Sequence, residues 1–155
     1  MNTLRCHVTI LTRTLGIMKG AGKSKKERGA YWLADPRRPE FVVEVYEPAQ
    51  ETTRVLFWLS PESVRALMSY LKQKRLMLCA QVHTHPGLAF HSETDDQNSL
   101  LGKIGSESIV VPNFAKGVTI KTFVEKSAFF YLLASGEWIE ATNEQVRANF
   151  KIFAL

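Results

Sequence analysis

The stretch QVHTHPGLAFHSETDD, residues 81–96, gathers three histidines, a serine and three acids around one Pro-Gly turn. His83 and His85 are two apart, so on an extended chain both side chains point to one face and can share an ion. Residues 76–83 are a nearly unbroken apolar run of strand length. That pattern predicts a central strand covered on both faces, with the histidines emerging at its C-terminal end. Pro86 and Gly87 then turn the chain, and a short loop brings it to Ser92 and Asp95, three apart and neighbours on a helix surface. Two imidazoles, one carboxylate and a water form the open tetrahedral set of a catalytic zinc, whereas a structural zinc is closed by four protein ligands, usually including cysteines. Taken alone, His-x-His is a weak signal, and Ser-x-x-Asp is also a helix-capping arrangement. In this order, within thirteen residues and at the end of a buried strand, they point to metal chemistry.

Outward from this segment the chain alternates strand and helix patterns. Leu11, Leu15 and Met18 mark an amphipathic helix expected to stop at Gly20-Ala21-Gly22. The fragment GAGKS is not a phosphate loop: Ile17 stands where that motif needs its first glycine, and a helix rather than a strand precedes it. Residues 29–34 (GAYWLA) and 41–46 (FVVEVY) read as strands of a hairpin, and 54–59 as a third strand. A helix follows with Ser60 as N-cap, Pro61 at its first position and Leu59 and Val64 as a hydrophobic staple. Val64, Leu67, Met68 and Leu71 form its apolar face, and Lys72, Lys74 and Arg75 lie where the helix dipole favours cations. Residues 92–101 are expected to form a short helix ended by Gly102, then strands at 108–111, 128–133 and 138–139. Val146, Phe150 and Phe153 suggest a last helical stripe. The order of elements indicates an α+β domain, its helices packed on a mainly antiparallel or mixed sheet.

The 155 residues, 45% hydrophobic and 23% charged, have the size and composition of one globular domain spanning 1–155. No window approaches the roughly 18 apolar residues of a membrane span. The N-terminal segment has no clean apolar core with a small-residue cleavage site, so the chain reads as cytoplasmic. Cys6 and Cys79 form no CxxC pair, and Cys79 lies in an apolar run, so no disulfide is expected. The net charge of +5 includes a cluster of Lys19, Lys23, Lys25, Lys26 and Arg28. No aromatic interleaving accompanies it, so it reads as a solvated basic loop, not as a nucleic-acid site.

Other His-x-His proteins fail on spacing. Zinc deaminases need a Pro-Cys-x-x-Cys partner, metallo-β-lactamase-like hydrolases continue with an Asp and a further His, and barrel amidohydrolases need about 250 residues. The segment His83-Thr84-His85-Pro86, GLAFH, Ser92-Glu93-Thr94-Asp95 resembles the JAMM, or MPN+, metalloprotease motif, most closely in the shorter bacterial JAB-type domains. Many members have six residues between proline and serine; here there are five, so His91 and Asp96 stand as alternative ligands. The resemblance implies an MPN/JAB (cytidine-deaminase-like) fold, a Zn2+ held by His83, His85 and Asp95, and Ser92 at the oxyanion. The family's catalytic glutamate precedes an early Gly-containing strand, a position matched by Glu27, the one acid between Met1 and Asp35. Leu88 and Phe90 are candidate walls for substrate. The activity so implied is hydrolysis after the C-terminal glycine of a ubiquitin-like protein. In bacteria such domains occur beside activating and conjugating enzymes, in antiphage systems or in precursor maturation. The alternative is a metal-free MPN-type scaffold.

Overall fold

The computed structural model describes residues 1–92, 95 and 99–155. Ten strands and four α-helices are described: β1 (Leu4–His7), α1 (Val8–Ser24), β2 (Gly29–Ala34), β3 (Phe41–Tyr46), β4 (Glu51–Thr52), β5 (Phe57–Trp58), α2 (Pro61–Lys74), β6 (Met77–Thr84), β7 (Glu107–Val111), α3 (Phe123–Lys126), β8 (Ala128–Leu132), β9 (Trp138–Glu140), α4 (Asn143–Asn149) and β10 (Phe150–Phe153). Eight strands form one sheet in the order β10-β1-β3-β2-β6-β7-β8-β9, and β4 and β5 pair separately. The large sheet is mixed: β1 is parallel to β10 and β3, and β6 to β7, while the other pairs are antiparallel. This is the expected α+β architecture with helices against a mixed sheet.

Strand alternation divides the core between the two faces of β2. Along β2, Ala30, Trp32 and Ala34 enter one cluster with Leu11, Leu15 and Met18 of α1, while Tyr31 and Leu33 enter another with Leu67 of α2. Burial of each large apolar side chain contributes about 1.5–3 kcal/mol. Trp32 anchors the first cluster: its ring stacks on Phe150, 5.9 Å between centroids, and its Nε1–H donates to Thr14 Oγ1 at 2.9 Å.

Strands 29–34 and 41–46 form the expected hairpin, and α2 has the expected caps. Ser60 Oγ accepts from the Ser63 N–H at 3.1 Å, and Arg75, at φ 56°, supplies the left-handed C-cap. Four expectations need correction. Helix α1 runs through Gly20 and Gly22 to Ser24, because Ala21 between them is buried against the core and Lys25, at φ 53°, takes the terminating conformation. The strand expected over 54–59 shrinks to Phe57–Trp58, since its strand partner among the described residues is the two-residue β4. Met68 is 43% exposed; Leu67, Tyr70 and Leu71 make the apolar contact of α2 instead. Phe150 and Phe153 belong to strand β10, because the unforeseen β1 offers them a parallel edge, Leu4 opposite Phe150 and His7 opposite Phe153. The helix expected over 92–101 falls largely outside the described residues; Ser92 and residues 99–102 have no regular structure.

Candidate metal centre

The sheet brings the site together by register. Strands β2 and β6 are antiparallel with Gly29 opposite His83, so the start of β2 lies beside the end of β6. The Arg28 N–H donates to Thr84 Oγ1 and the Thr84 N–H to the Arg28 carbonyl, each at 3.0 Å, carrying the pairing one residue further. Glu27 is thereby drawn up to His85. Because Gly29 has no side chain, the Phe57 ring occupies the space above it; a Cβ there would lie 2.3 Å from Phe57 Cε2. That ring in turn rests on His83, 5.6 Å between centroids.

Beyond β6 the loop is clamped by the backbone. The His85 N–H donates to the Val111 carbonyl, the Phe114 N–H to the His85 carbonyl and the Asn113 N–H to the Gly87 carbonyl, at 2.8–2.9 Å. Asn113, Phe114 and Ala115 achieve this in a left-handed turn, with φ of 52°, 50° and 62°. Asparagine tolerates this region, but Phe114 and Ala115 each cost about 1–2 kcal/mol there, and backbone strain of this kind concentrates at functional sites.

His83 Nε2 lies 3.3 Å from His85 Nε2 and 3.3 Å from Asp95 Oδ1, and His85 Nε2 lies 3.2 Å from Asp95 Oδ2. Three donors placed tetrahedrally about 2.0–2.1 Å from a cation stand about 3.3 Å apart. The arrangement therefore fits a metal ion, and among the described residues these three form the group able to hold one. All three are buried. Ser92 fixes the carboxylate reciprocally: its N–H donates to Asp95 Oδ2 at 2.8 Å, and its Oγ accepts from the Asp95 N–H at 3.1 Å. Burial works to raise the Asp95 carboxyl, but its hydrogen bonds to His83 and His85 outweigh this and hold it well below the usual range.

Glu27 is 2% exposed, with Oε1 3.9 Å from His85 Nε2 and Oε2 buried without a hydrogen-bond partner among the described residues. Burial, and then the charge of Asp95, push its carboxyl up to about 8. Phe90 is half-exposed and sets its ring edge against His85, 4.6 Å between centroids, while Leu88 is almost fully exposed. The alternative ligand His91 is engaged elsewhere: its Nε2 pairs with Ser108 Oγ at 2.9 Å and its ring packs between Phe130 and Trp138. Asp96 lies outside the described residues. Lys19, Lys23, Lys25 and Lys26 are exposed, and Arg28 pairs with Glu47 at 2.9 Å. Cys6 and Cys79 are buried free thiols. Sequence reasoning missed Phe57, Gln81 and the left-handed turn; the glycine that admits Phe57 was visible, but not what fills its space.

No family model matches the chain. It is 36% identical over 104 residues to y4jG of Sinorhizobium fredii, named a probable metalloprotease, and the match spans 64% of this chain and 64% of that relative's length. Among solved structures, protein DSY2949 from Desulfitobacterium hafniense superposes with a TM-score of 0.66 at 13% identity, over 98% of this chain and 92% of that one. AF2198 from Archaeoglobus fulgidus, a JAB1/MPN domain protein, gives a TM-score of 0.47 at 15% identity over 99% of each chain. No described helix is long and apolar enough to cross a membrane.

Proposed function

We propose that this chain is a member of the JAMM/MPN family and a zinc-dependent peptidase or isopeptidase that cuts after the C-terminal glycine of a ubiquitin-like protein. The observation that carries the reading is the meeting of two buried imidazoles, 3.3 Å apart at Nε2 and each 3.2–3.3 Å from one oxygen of the buried Asp95 carboxylate, with a further buried group, the Glu27 carboxyl, 3.9 Å from His85 Nε2. Two imidazoles and a carboxylate without cysteine suit a catalytic zinc. When bound, such an ion supplies Lewis acidity towards a water and a carbonyl oxygen.

The chain's own residues supply the rest. His83, His85 and Asp95 would hold the cation. In its ionised form, Glu27 takes the proton of the attacking water on Oε1 and passes it to the leaving amine. A lone pair of Ser92 Oγ is committed to the Asp95 N–H, which leaves its hydroxyl hydrogen to donate to the oxygen of the scissile carbonyl as charge develops there. Phe90, its ring edge against His85, and the exposed Leu88 of the same loop flank the approach of a narrow glycine tail. The extended tail of a ubiquitin-like modifier matches such an approach, because its last residues can pair as a strand and leave the terminal carbonyl at the metal. The setting that suits this chemistry is a bacterial cytoplasmic conjugation system with its own activating and conjugating enzymes, serving antiphage defence or precursor maturation.

The test combines metal content with cleavage. Protein purified without added metal is expected to carry close to one zinc and to release a reporter fused after Gly-Gly of a ubiquitin-like protein. Glu27→Ala and His85→Ala are both expected to abolish release, but only His85→Ala to lose the zinc. A chain that neither contains nor takes up zinc is a scaffold, and a fully active Glu27→Ala enzyme would remove Glu27 as the base.

A further inference from the structure

Gln81 belongs to no part of the metal-binding motif, yet it meets the far side of one ligand. It precedes His83 by two residues on β6, so both side chains leave the same face of the sheet. It is 2% exposed, paired in register with Tyr31 on β2 and Ser108 on β7. Its Nε2 lies 3.5 Å from His83 Nδ1, and its Oε1 is buried with no hydrogen-bond partner among the described residues. Leaving a buried polar group unmatched costs about 1–3 kcal/mol.

The chemistry of the ring decides which end of the amide belongs there. His83 turns Nε2 towards His85 Nε2 and Asp95 Oδ1, so Nε2 is the nitrogen that offers its lone pair to a cation. A neutral imidazole bound in this way carries its proton on Nδ1, which is then a donor. An amide NH2 facing that N–H sets donor against donor. The two ends of a glutamine amide are interchanged by a half-turn of its last torsion and are assigned from the hydrogen bonds they make. That half-turn brings the unpartnered oxygen to Nδ1–H.

We infer that Gln81 is a positioning residue for the metal centre: its side-chain oxygen accepts the Nδ1–H of His83, fixing the ring's orientation and the tautomer that leaves Nε2 open to a cation. The inference rests on the metal reading above and adds to it a residue that touches neither metal nor substrate. Partners of this kind raise the basicity of a ligating histidine, and their loss typically lowers metal affinity about 10- to 100-fold.

The experiment measures zinc affinity by chelator competition in the wild type, Gln81→Met and Gln81→Glu. Long-range 15N–1H spectra of the zinc-loaded wild type give the tautomer of His83. Gln81→Met, which keeps the length of the side chain and removes the acceptor, should bind zinc about 10- to 100-fold more weakly with an unchanged circular dichroism spectrum. Gln81→Glu, which keeps an oxygen acceptor at that position in either protonation state, should restore wild-type affinity. In the loaded wild type the His83 proton should be on Nδ1. Equal affinity in Gln81→Met, or a proton on Nε2, overturns the assignment while leaving the metal centre standing. Failure of the wild type to bind zinc overturns both. If Gln81→Met does not fold, the wild-type tautomer together with the affinity of Gln81→Glu decides.

Discussion

Glu27 and Glu107 are both buried acids, 2% and 1% exposed, and burial pushes both carboxyls up to about 8. Their surroundings differ. Glu27 stands just ahead of β2 with one oxygen 3.9 Å from His85 Nε2, among groups that converge on a point. Glu107 opens β7 on the face it shares with Ile109 and Val111, and both its oxygens lack hydrogen-bond partners among the described residues. Its charge is felt by the buried Cys79, and the N-terminal amine only partly offsets its burial. A raised carboxyl is therefore not in itself a mark of catalysis in this chain. The mark is the company: two imidazoles, a second carboxylate and a loop fixed by three backbone hydrogen bonds on one side, apolar packing on the other.

The sharpest way to break that comparison is to neutralise each acid without changing its shape. Glu27→Gln is expected to lower turnover by at least the 100- to 10,000-fold that a positioned acid–base group supplies, with zinc content unchanged. Glu107→Gln is expected to leave turnover at the wild-type level. Equal losses in the two variants, read as kcat on the same Gly-Gly reporter, would mean that burial and not position is what matters.

A smaller effect concerns Glu107 itself and is thermodynamic. Its folded-state value, about 8, lies above the ordinary 4.5, so between those values the folded chain holds a proton that the unfolded chain has released. Stability from this group is full below about pH 4.5 and is lost as pH rises towards 8, by on the order of a few kcal/mol. Denaturant unfolding of zinc-loaded protein from pH 5 to pH 8 should show this decline, and Glu107→Gln should make it shallower, leaving the share of Glu27, which is pushed up to the same value. Parallel curves for the two proteins would show that Glu107 is solvated or paired in solution.

How much of this was legible in the sequence varied with the range of the interactions. Ser60 and Pro61 announced α2 because capping is settled within four residues, and the apolar run 76–83 announced β6 because a strand buried on both faces needs no partner to be recognised. Phe150 and Phe153 were misread because a spacing of three fits a helix face, and the deciding partner, β1, shows only Leu4 and Cys6 as its buried pair in four residues. At the site, the spacing of His83 and His85 already implied a shared face. Glu27 was located by family resemblance, and its approach to His85 follows from the β2–β6 register, which no local pattern encodes. The turn at Asn113–Ala115 was invisible because left-handed backbone is ordinarily signalled by glycine, and it has none. Gln81 was overlooked since its meaning depends on an unpartnered oxygen and a neighbouring ring nitrogen, both properties of the folded chain.

The two acids also differ in what lies near them. Glu107 shares its face of β7 with the core residues Ile109 and Val111, whereas the start of β2, just after Glu27, is roofed by Phe57 from the small β4–β5 hairpin, with the Glu27 N–H donating to the Thr53 carbonyl at 2.7 Å. That roof depends on Gly29. A methyl there would meet the Phe57 ring at 2.3 Å and force it away from its seat on His83. Overpacking of this kind costs about 1–3 kcal/mol, so Gly29→Ala should lower the denaturation midpoint modestly. Because the displaced ring is the one resting on His83, the variant should also release zinc to a chelator faster than the wild type. Gly102→Ala, where an added Cβ meets nothing within 4 Å, is the matched control and should change neither quantity. If Gly29→Ala loses stability but holds zinc as long as the wild type, the hairpin is merely packing. If both move together, the roof over His83 is part of how the chain keeps its metal, and the site's enclosure, unlike that of Glu107, is adjustable from a single exposed hairpin.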